Sequence, residues 1–437
     1  MKLYFYRSLI WRRIEDSNVA GMTLVEVRLR SEIERKQVLS FNRIWERALT
    51  NVLFYRDWKC KFSLPDAINN LSELDDWPVL TKSDLRDLSK FSRSDVPEPK
   101  GRIITGGSTG EPVRLPSWND WSTGVSQTIG RRAYGVEPGD KMFMLWGHEH
   151  LYGTGFNRKI NIYKRRFKDW LANWKRVSAY DLSVDAMRAA FVMFEKFQPK
   201  AVLGFSPAVL AFVRHNKDRT RTVKSVKVVI CSAGPLSASE KQEIEAFFGA
   251  KVCMEYGSVE CGVMAYTRPE DGRYYTFWNT HLIQAQKDDS GNYKALVTRL
   301  VDCYVPLIRY DIGDYLDLEG EDVDECKRSV LGMKDVLGRP SEMISFACGV
   351  SFFGALIGDC VKQVPTVLSS QIAVDEAKNI LEIRVTADGE LSGDDLMLIK
   401  NRFELTVADA HKIDVRIVQV EKLQMTNGGK VPRVVRI

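Results

Sequence analysis

Residues 103–116 read IITGGSTGEPVRLP: two apolar residues, six drawn only from Thr, Gly and Ser, then a Glu-Pro before an extended tail. Gly106, Gly107 and Gly110 permit positive φ and close backbone approach, and Thr105, Ser108 and Thr109 add small hydroxyl donors. A loop rich in N–H and O–H groups and free of bulk is a cradle for phosphate oxygens; a flexible surface turn is the plain alternative. A Walker-type loop is excluded, because it needs Gly-Lys-Ser/Thr, whereas Gly110 is followed by Glu111 and Pro112. Downstream of the loop, apolar β-like runs at 142–147, 201–205, 226–232, 251–256 and 295–300 alternate with helical segments that include 184–197 and 237–248. Short strands alternating with helices imply an α/β architecture with a parallel or mixed sheet.

The 437 residues suffice for two or three domains around a large core. The expected fold is α/β, with a large N-terminal domain (1–337) of mixed or parallel sheets and helices. Its first 95 or so residues read as mostly helical and polar, with a capped start at 81-TKSDLRDL-88. A boundary near 338-GRPSEM-343 opens a small mobile α+β domain, 338–437, with strands at 366–374, 380–386 and 413–420, a helix at 391–405 and a terminal loop.

The net charge of +6 is local: residues 158–176 (RKINIYKRRFKDWLANWKR) hold eight Lys/Arg against Asp169, so the rest is nearly neutral and a nucleic-acid partner is not expected. The eight cysteines are scattered without a C-x-x-C pair, and several lie in apolar runs, which fits a reducing, cytoplasmic compartment. The N-terminal MKLYFYRSLIWRRIED has no long apolar core or small-residue cleavage site, and no stretch has the apolar length to span a bilayer. A soluble protein, at most peripheral at the inner face of a membrane, is expected.

Four further segments stand in a fixed order: 255-EYGSVE-260, 306-PLIRYDIGD-314, 338-GR-339 and 426-TNGGKVPR-433. With the glycine loop they resemble the adenylate-forming superfamily of acyl-CoA synthetases and adenylation domains. The segments 107-GSTGEPV-113 and 306-PLIRYDIGD-314 look most like its phenylacetate–CoA ligase branch, especially relatives associated with capsular-polysaccharide biosynthesis. The resemblance covers roughly 100–437 and implies ATP and Mg²⁺ as cofactors. It implies that Thr105–Gly110 cradles the leaving phosphates and that Glu260 coordinates the metal, a solvated acid at a helix start being the alternative. It further implies that Tyr256, with Gly257 and Ser258 beside it, flanks the adenine, and that Ala233, Gly234 and Pro235 of 232-SAGPL-236 form the other wall. Asp314 and Arg339 would hold the ribose, and Lys430 would swing in with the small domain to stabilise charge on the α-phosphate.

The chain departs from the superfamily at Val113 and Arg114, where lysine is frequent, and at Ser341, where the hinge usually has an acid or lysine. Cys261 and His281 lack the spacing of the zinc-like cluster found in some relatives, so no zinc is expected.

Two segments bear on substrate. In 146-WGHEHLYGTG-155 the resembled fold faces the acyl pocket, so Trp146, His148 and His150 would meet substrate. His148 would orient a polar carboxylate or deprotonate an incoming amine. On a helical wheel Tyr163, Phe167, Trp170, Leu171 and Trp174 share one side of 161–176, with Lys164, Arg165, Lys168, Lys175 and Arg176 around them. Either this stripe packs into the core, or it meets an anionic membrane surface, a lipid-linked glycan or coenzyme A phosphates.

The expected activity is an AMP-forming ligase that activates a small carboxylic acid and passes it to a thiol (CoA) or an amine. The rivals are an inactive nucleotide-binding homologue serving as sensor or scaffold, and a peripheral membrane protein acting through 161–176.

Overall fold

A computed structural model describes residues 29–104, 114–118, 122–146, 155–179, 184–219, 224–232, 234, 236, 238–288, 291–338, 343–353, 357, 360–361, 364, 366–387, 389–407, 409–424 and 434–437. The chain divides into two compact units: Met1–Gly106, Pro112–Pro138 and Cys253–Gly338 in one, Gly107–Glu111, Gly139–Val252 and Arg339–Ile437 in the other.

In the first unit the helix Arg30–Asn51 buries Ile33, Gln37, Phe41, Ile44, Trp45 and Ala48, one stripe at helical spacing. The helix Leu53–Phe62 follows, and Trp45 meets Tyr55 and Trp77 edge-on at 5.9 and 4.9 Å. The helix expected from residue 81 is cut down to 3-10 turns at Asp84–Arg86 and Leu88–Phe91. Thr81 and Asp84 form the anticipated reciprocal cap, but Asp87, at φ −94° and ψ 77°, breaks the run before it can propagate. The β-structure here is antiparallel: Gly262–Thr267 pairs with Lys251–Ser258 and with Tyr274–Thr276, and His281–Lys287, Tyr293–Arg299, Tyr310–Asp317 and Asp335–Gly338 lie in that order.

In the second unit four strands run parallel in the order Trp174–Val177, Met142–Leu145, Ala201–Phe205, Val228–Ser232. Met142–Leu145 and Val228–Ser232 are buried throughout, as strands covered on both faces must be. The helices Val184–Phe197, Ser206–His215 and Ala238–Phe248 bring Phe191, Phe194, Phe212, Phe247 and Phe248 into one aromatic cluster.

The C-terminal segment has its own core, in which Ile344, Leu381, Ile383, Val385, Ile399 and Phe403 are fully enclosed. Strands Asp414–Gln419, Ile380–Ala387 and Val367–Asp375 stand side by side, and the helix Gly393–Thr406 starts at a Ser392–Asp395 capping box. The expected terminal loop ends instead in a fourth strand, Val434–Arg436, parallel to Ile372–Val374. Its run of three residues is too short to declare itself in a sequence; the open edge of Val367–Asp375 recruits it.

The basic segment also differs from expectation. The helix is Gly155–Ala172, and Trp174, Lys175 and Arg176 belong to a strand paired with Met142–Met144. Asn173 makes the break: at φ +65° it takes the left-handed conformation that ends helices, and its amide donates to the Gly139 carbonyl at 3.0 Å. Tyr163, Phe167 and Trp170 are 70, 62 and 56% exposed, so they do not pack into the core. Among the described residues no helix is long and apolar enough to cross a membrane.

Candidate active site

The first group of site residues hangs on a β-hairpin. Lys251–Ser258 and Gly262–Thr267 pair with a register shift between Tyr256 and Gly257. At Gly257 a Cβ would lie 2.6 Å from the Gly262 carbonyl oxygen, so the backbones approach closely because there is no side chain. Gly262 turns the chain at φ +78°, and Ser258 Oγ accepts from the Cys261 amide at 3.0 Å. Glu260 therefore sits half-buried in a tight hairpin turn rather than at a helix start.

The segment 306-PLIRYDIGD-314 meets this hairpin. Arg309 is buried at φ +49°, a strained conformation for a side-chain-bearing residue. It is over-determined: its amide donates to Thr298 Oγ1 at 2.9 Å and its guanidinium to Gln284 Oε1 at 3.1 Å, while burial pulls its pKa down to about 10. The kink sends the next residue, Tyr310, inward, where its hydroxyl donates to Glu260 Oε1 at 3.4 Å. Gly313 at φ +83° then turns the chain, and Asp314 accepts from the Tyr256 hydroxyl at 3.0 Å. Burial first, and the Asp314 charge second, push the Tyr256 phenol well above its ordinary pKa, so it stays a donor. Two tyrosines thus orient two carboxylates: Tyr256 holds Asp314, and Tyr310 holds Glu260.

Below the turn, His281 is buried with Nε2 2.8 Å from the Cys261 carbonyl oxygen and Nδ1 2.9 Å from Thr280 Oγ1. Both ring nitrogens are engaged. Burial pushes the Cys261 thiol up to about 12, with the Glu260 charge a lesser cause.

The second group lies at the carboxyl edge of the parallel strands. Leu145 is level with Val177 and Gly204, and Phe205 with Ser232, so Trp146, Phe205 and Ser232 stand at one end of the sheet. Open α/β sheets bind ligands at that end. Trp146 and Phe205 stack at 4.2 Å with their planes 39° apart. Ser206, 1% exposed, donates to the carbonyls of Gly234 (2.7 Å) and Ser232 (3.3 Å), tying both to the start of the helix Ser206–His215.

The structure thus brings Tyr256, Gly257, Ser258, Glu260 and Asp314 together in one unit, and Trp146 and Gly234 at one edge of the other. Thr105, Gly106, Gly107, Ser108, Thr109, Gly110, His148, His150, Ala233, Pro235, Arg339 and Lys430 lie outside the described residues. Sequence reasoning missed Tyr310, Phe205 and Ser206. Tyr310 stood inside the quoted 306–314 motif, but nothing in that motif says which side chain a kinked strand turns inward.

No family profile matches the chain. Protein CapK of Staphylococcus aureus is 23% identical over 398 residues, 89% of this chain and 86% of that protein. The phenylacetate-coenzyme A ligase of Escherichia coli is 25% identical over 433 residues, 92% and 93% of the two chains. In fold, an open conformation of 2-hydroxyisobutyryl-CoA ligase in complex with 2-HIB-AMP and CoA matches with a TM-score of 0.59 at 14% identity, covering 96% of each chain. The same enzyme in the thioesterification state gives a TM-score of 0.60 at 15% identity over 94% of this chain and 91% of that one. In sequence the chain is thus similar to CapK and to phenylacetate-coenzyme A ligases, the resemblance its motifs suggested, and in fold it is similar to 2-hydroxyisobutyryl-CoA ligase.

Proposed function

We propose that the protein is an ATP-dependent, AMP-forming ligase that activates a small carboxylic acid. The observation that carries this reading is the pair of tyrosine-held carboxylates, Asp314 on Tyr256 and Glu260 on Tyr310. A carboxylate that accepts one hydrogen bond from a neutral donor has lone pairs left for a ligand. Asp314 accepts from the ribose hydroxyls, and Tyr256 aligns it to do so. Glu260 stands half-exposed with one oxygen lightly held at 3.4 Å, which fits a single protein carboxylate on Mg²⁺, an ion that takes few protein ligands and leans on phosphate oxygens and water. When bound, that ion neutralises the triphosphate. The acid's oxygen attacks the α-phosphorus, the bond to pyrophosphate breaks, and Lys430 from the small C-terminal lid (338–437) stabilises the charge on the α-phosphate. The acceptor then attacks the acyl carbon and AMP leaves.

The relatives that ligate coenzyme A support a thiol as that acceptor. An amine is the alternative, with His148 as its base, and surface-polysaccharide synthesis is the setting that the motif resemblance of 107–113 and 306–314 favours. The basic, aromatic helix Gly155–Ala172 favours recruitment to an anionic membrane surface beside the catalytic role.

ATP–pyrophosphate exchange against a panel of carboxylic acids tests the activity. Exchange that depends on one acid class, and that falls by orders of magnitude in Lys430→Ala while AMP binding persists, is the expected result. Nucleotide binding with no exchange for any acid would leave the sensor or scaffold reading standing. Glu260→Gln should weaken Mg·ATP use far more than AMP binding, since only the triphosphate needs the metal; equal losses would make Glu260 structural.

A further inference from the structure

One face of the helix Arg30–Asn51, carrying Lys36, Gln37, Ser40 and Arg43, borders a cavity of about 250 Å³ closed on its other side by Trp278, Asn279 and Leu300. The polar atoms around it are not satisfied. Gln37 is 1% exposed; its Nε2 donates to the main-chain carbonyls of Trp278 (3.0 Å) and His281 (3.4 Å). Its Oε1 is buried with no hydrogen-bond partner among the described residues. Asn279 has both Nδ2 and Oδ1 buried in the same condition. Buried polar atoms are nearly always paired, so three orphaned amide atoms around one cavity need a reason.

The charges give one. Lys36 Nζ lies 5.8 Å from the centroid of the Trp278 ring, and neither Lys36 nor Arg43 makes an ion pair among the described residues. The neighbouring acid Glu34 is already held by Arg30 and Arg328. Residues 36, 40 and 43 follow one another on the same helix face, so both cations line the cavity from the helix side. Water would satisfy the amides alone; an anion with O–H or N–H groups would satisfy them and pair with the two cations as well.

We propose that this cavity binds a small anion that also carries hydroxyl or amine hydrogens, at a site that includes none of Tyr256, Glu260, Tyr310 and Asp314. Lys36 and Arg43 take its negative charge, Gln37 Oε1 and Asn279 Oδ1 accept from its O–H or N–H groups, and Asn279 Nδ2 donates to one of its oxygens. The anion's source is a carboxylate or a phosphate on a hydroxylated carbon frame. The site does not depend on the ligase reading.

Isothermal titration without nucleotide tests it, using gluconate, glucose 6-phosphate and inorganic phosphate as probes. Wild type should bind gluconate or glucose 6-phosphate at one site, and inorganic phosphate more weakly because it lacks the hydroxylated frame. Lys36→Gln and Arg43→Gln change exposed side chains on a helix and should keep the native melting profile, yet each should weaken binding about ten-fold. Asn279→Leu should weaken it further. Binding of gluconate alone identifies a carboxylate ligand, and of glucose 6-phosphate alone a phosphate; either supports the site. No saturable binding of either organic anion, or binding that ignores both cation substitutions, overturns it. ATP–pyrophosphate exchange run in parallel keeps the two readings apart, because Lys36→Gln should leave it unchanged.

Discussion

The helices Gly155–Ala172 and Val184–Phe197 belong to the same unit, and each carries an aromatic stripe at helical spacing. In Val184–Phe197 the stripe faces inward: Met187, Ala190, Phe191 and Phe194 are at most 2% exposed. In Gly155–Ala172 it faces water, with Tyr163, Phe167 and Trp170 more than half exposed and Phe167 stacked on Trp170 at 5.8 Å. What turns the second helix is a carboxylate. Asp169 is buried, and Arg176 on the following strand donates to it through Nε and Nη2, both at 3.1 Å. A bidentate ion pair fixes the rotation of the helix about its axis. Asp169 and Ala172 then face in, and the aromatics are left outside among Lys164, Arg165, Arg166 and Lys168. Amphipathic spacing says that two faces exist; the partner of one buried charge decides which is wet.

The largest effect should come from the inward stripe. Phe194→Ala removes a ring that touches Phe143, Phe212 and Phe248, and should cost about 3–5 kcal/mol, read as a lowered urea midpoint for this unit. A loss near zero would mean that the aromatic cluster is loosely packed and the contrast between the helices false. The outward stripe should respond in binding instead. Changing Lys164, Arg165 and Lys168 to Gln should weaken flotation with anionic vesicles by about 3 kcal/mol in total, on ~1 kcal/mol per basic residue near the surface, and the loss should shrink as salt rises. Vesicle binding insensitive to lipid charge and to these residues would remove the membrane from the account.

Much of this was legible in the sequence, for identifiable reasons. The runs at 142–147, 201–205 and 226–232 became buried parallel strands because strands covered on both faces must be apolar throughout. Val184–Phe197 was bounded to the residue, since its spacing and its burial agree. The elements that went wrong depend on single residues with tertiary partners. Asn173 reads as an unremarkable polar residue until its left-handed φ ends the helix and frees Trp174 for a strand. Val434–Arg436 is strand only because a neighbour offers an edge. At the site, Tyr256, Glu260 and Asp314 were legible as motif residues and do converge. Tyr310 was not, because its inward turn follows from the strained Arg309 before it.

The ion pair that sets the rotation should have a middling effect. Asp169→Asn keeps the shape but removes the charge facing Arg176, and should cost about 1–3 kcal/mol. It should also lower vesicle affinity if the helix loosens about its axis and the aromatics no longer present together. An unchanged midpoint and unchanged flotation would show that something other than this pair fixes the rotation.

The smallest effect on stability is the sharpest test of the comparison. Phe167→Ala deletes as large a ring as Phe194→Ala, from the same kind of stripe on another helix of the same unit. At 62% exposure it gives up little buried area, so its cost should stay within about 0.5 kcal/mol. Its flotation with anionic vesicles should fall clearly, because a ring that contributes nothing to the fold is free to insert between lipid headgroups. Loss of both stability and flotation would mean that Phe167 is covered in solution and that the two stripes are alike after all. Retention of both would remove the membrane as the reason for the outward aromatics and make the basic face an ordinary solvated surface. Only the split result, fold kept and membrane lost, sets the two helices apart as the structure draws them.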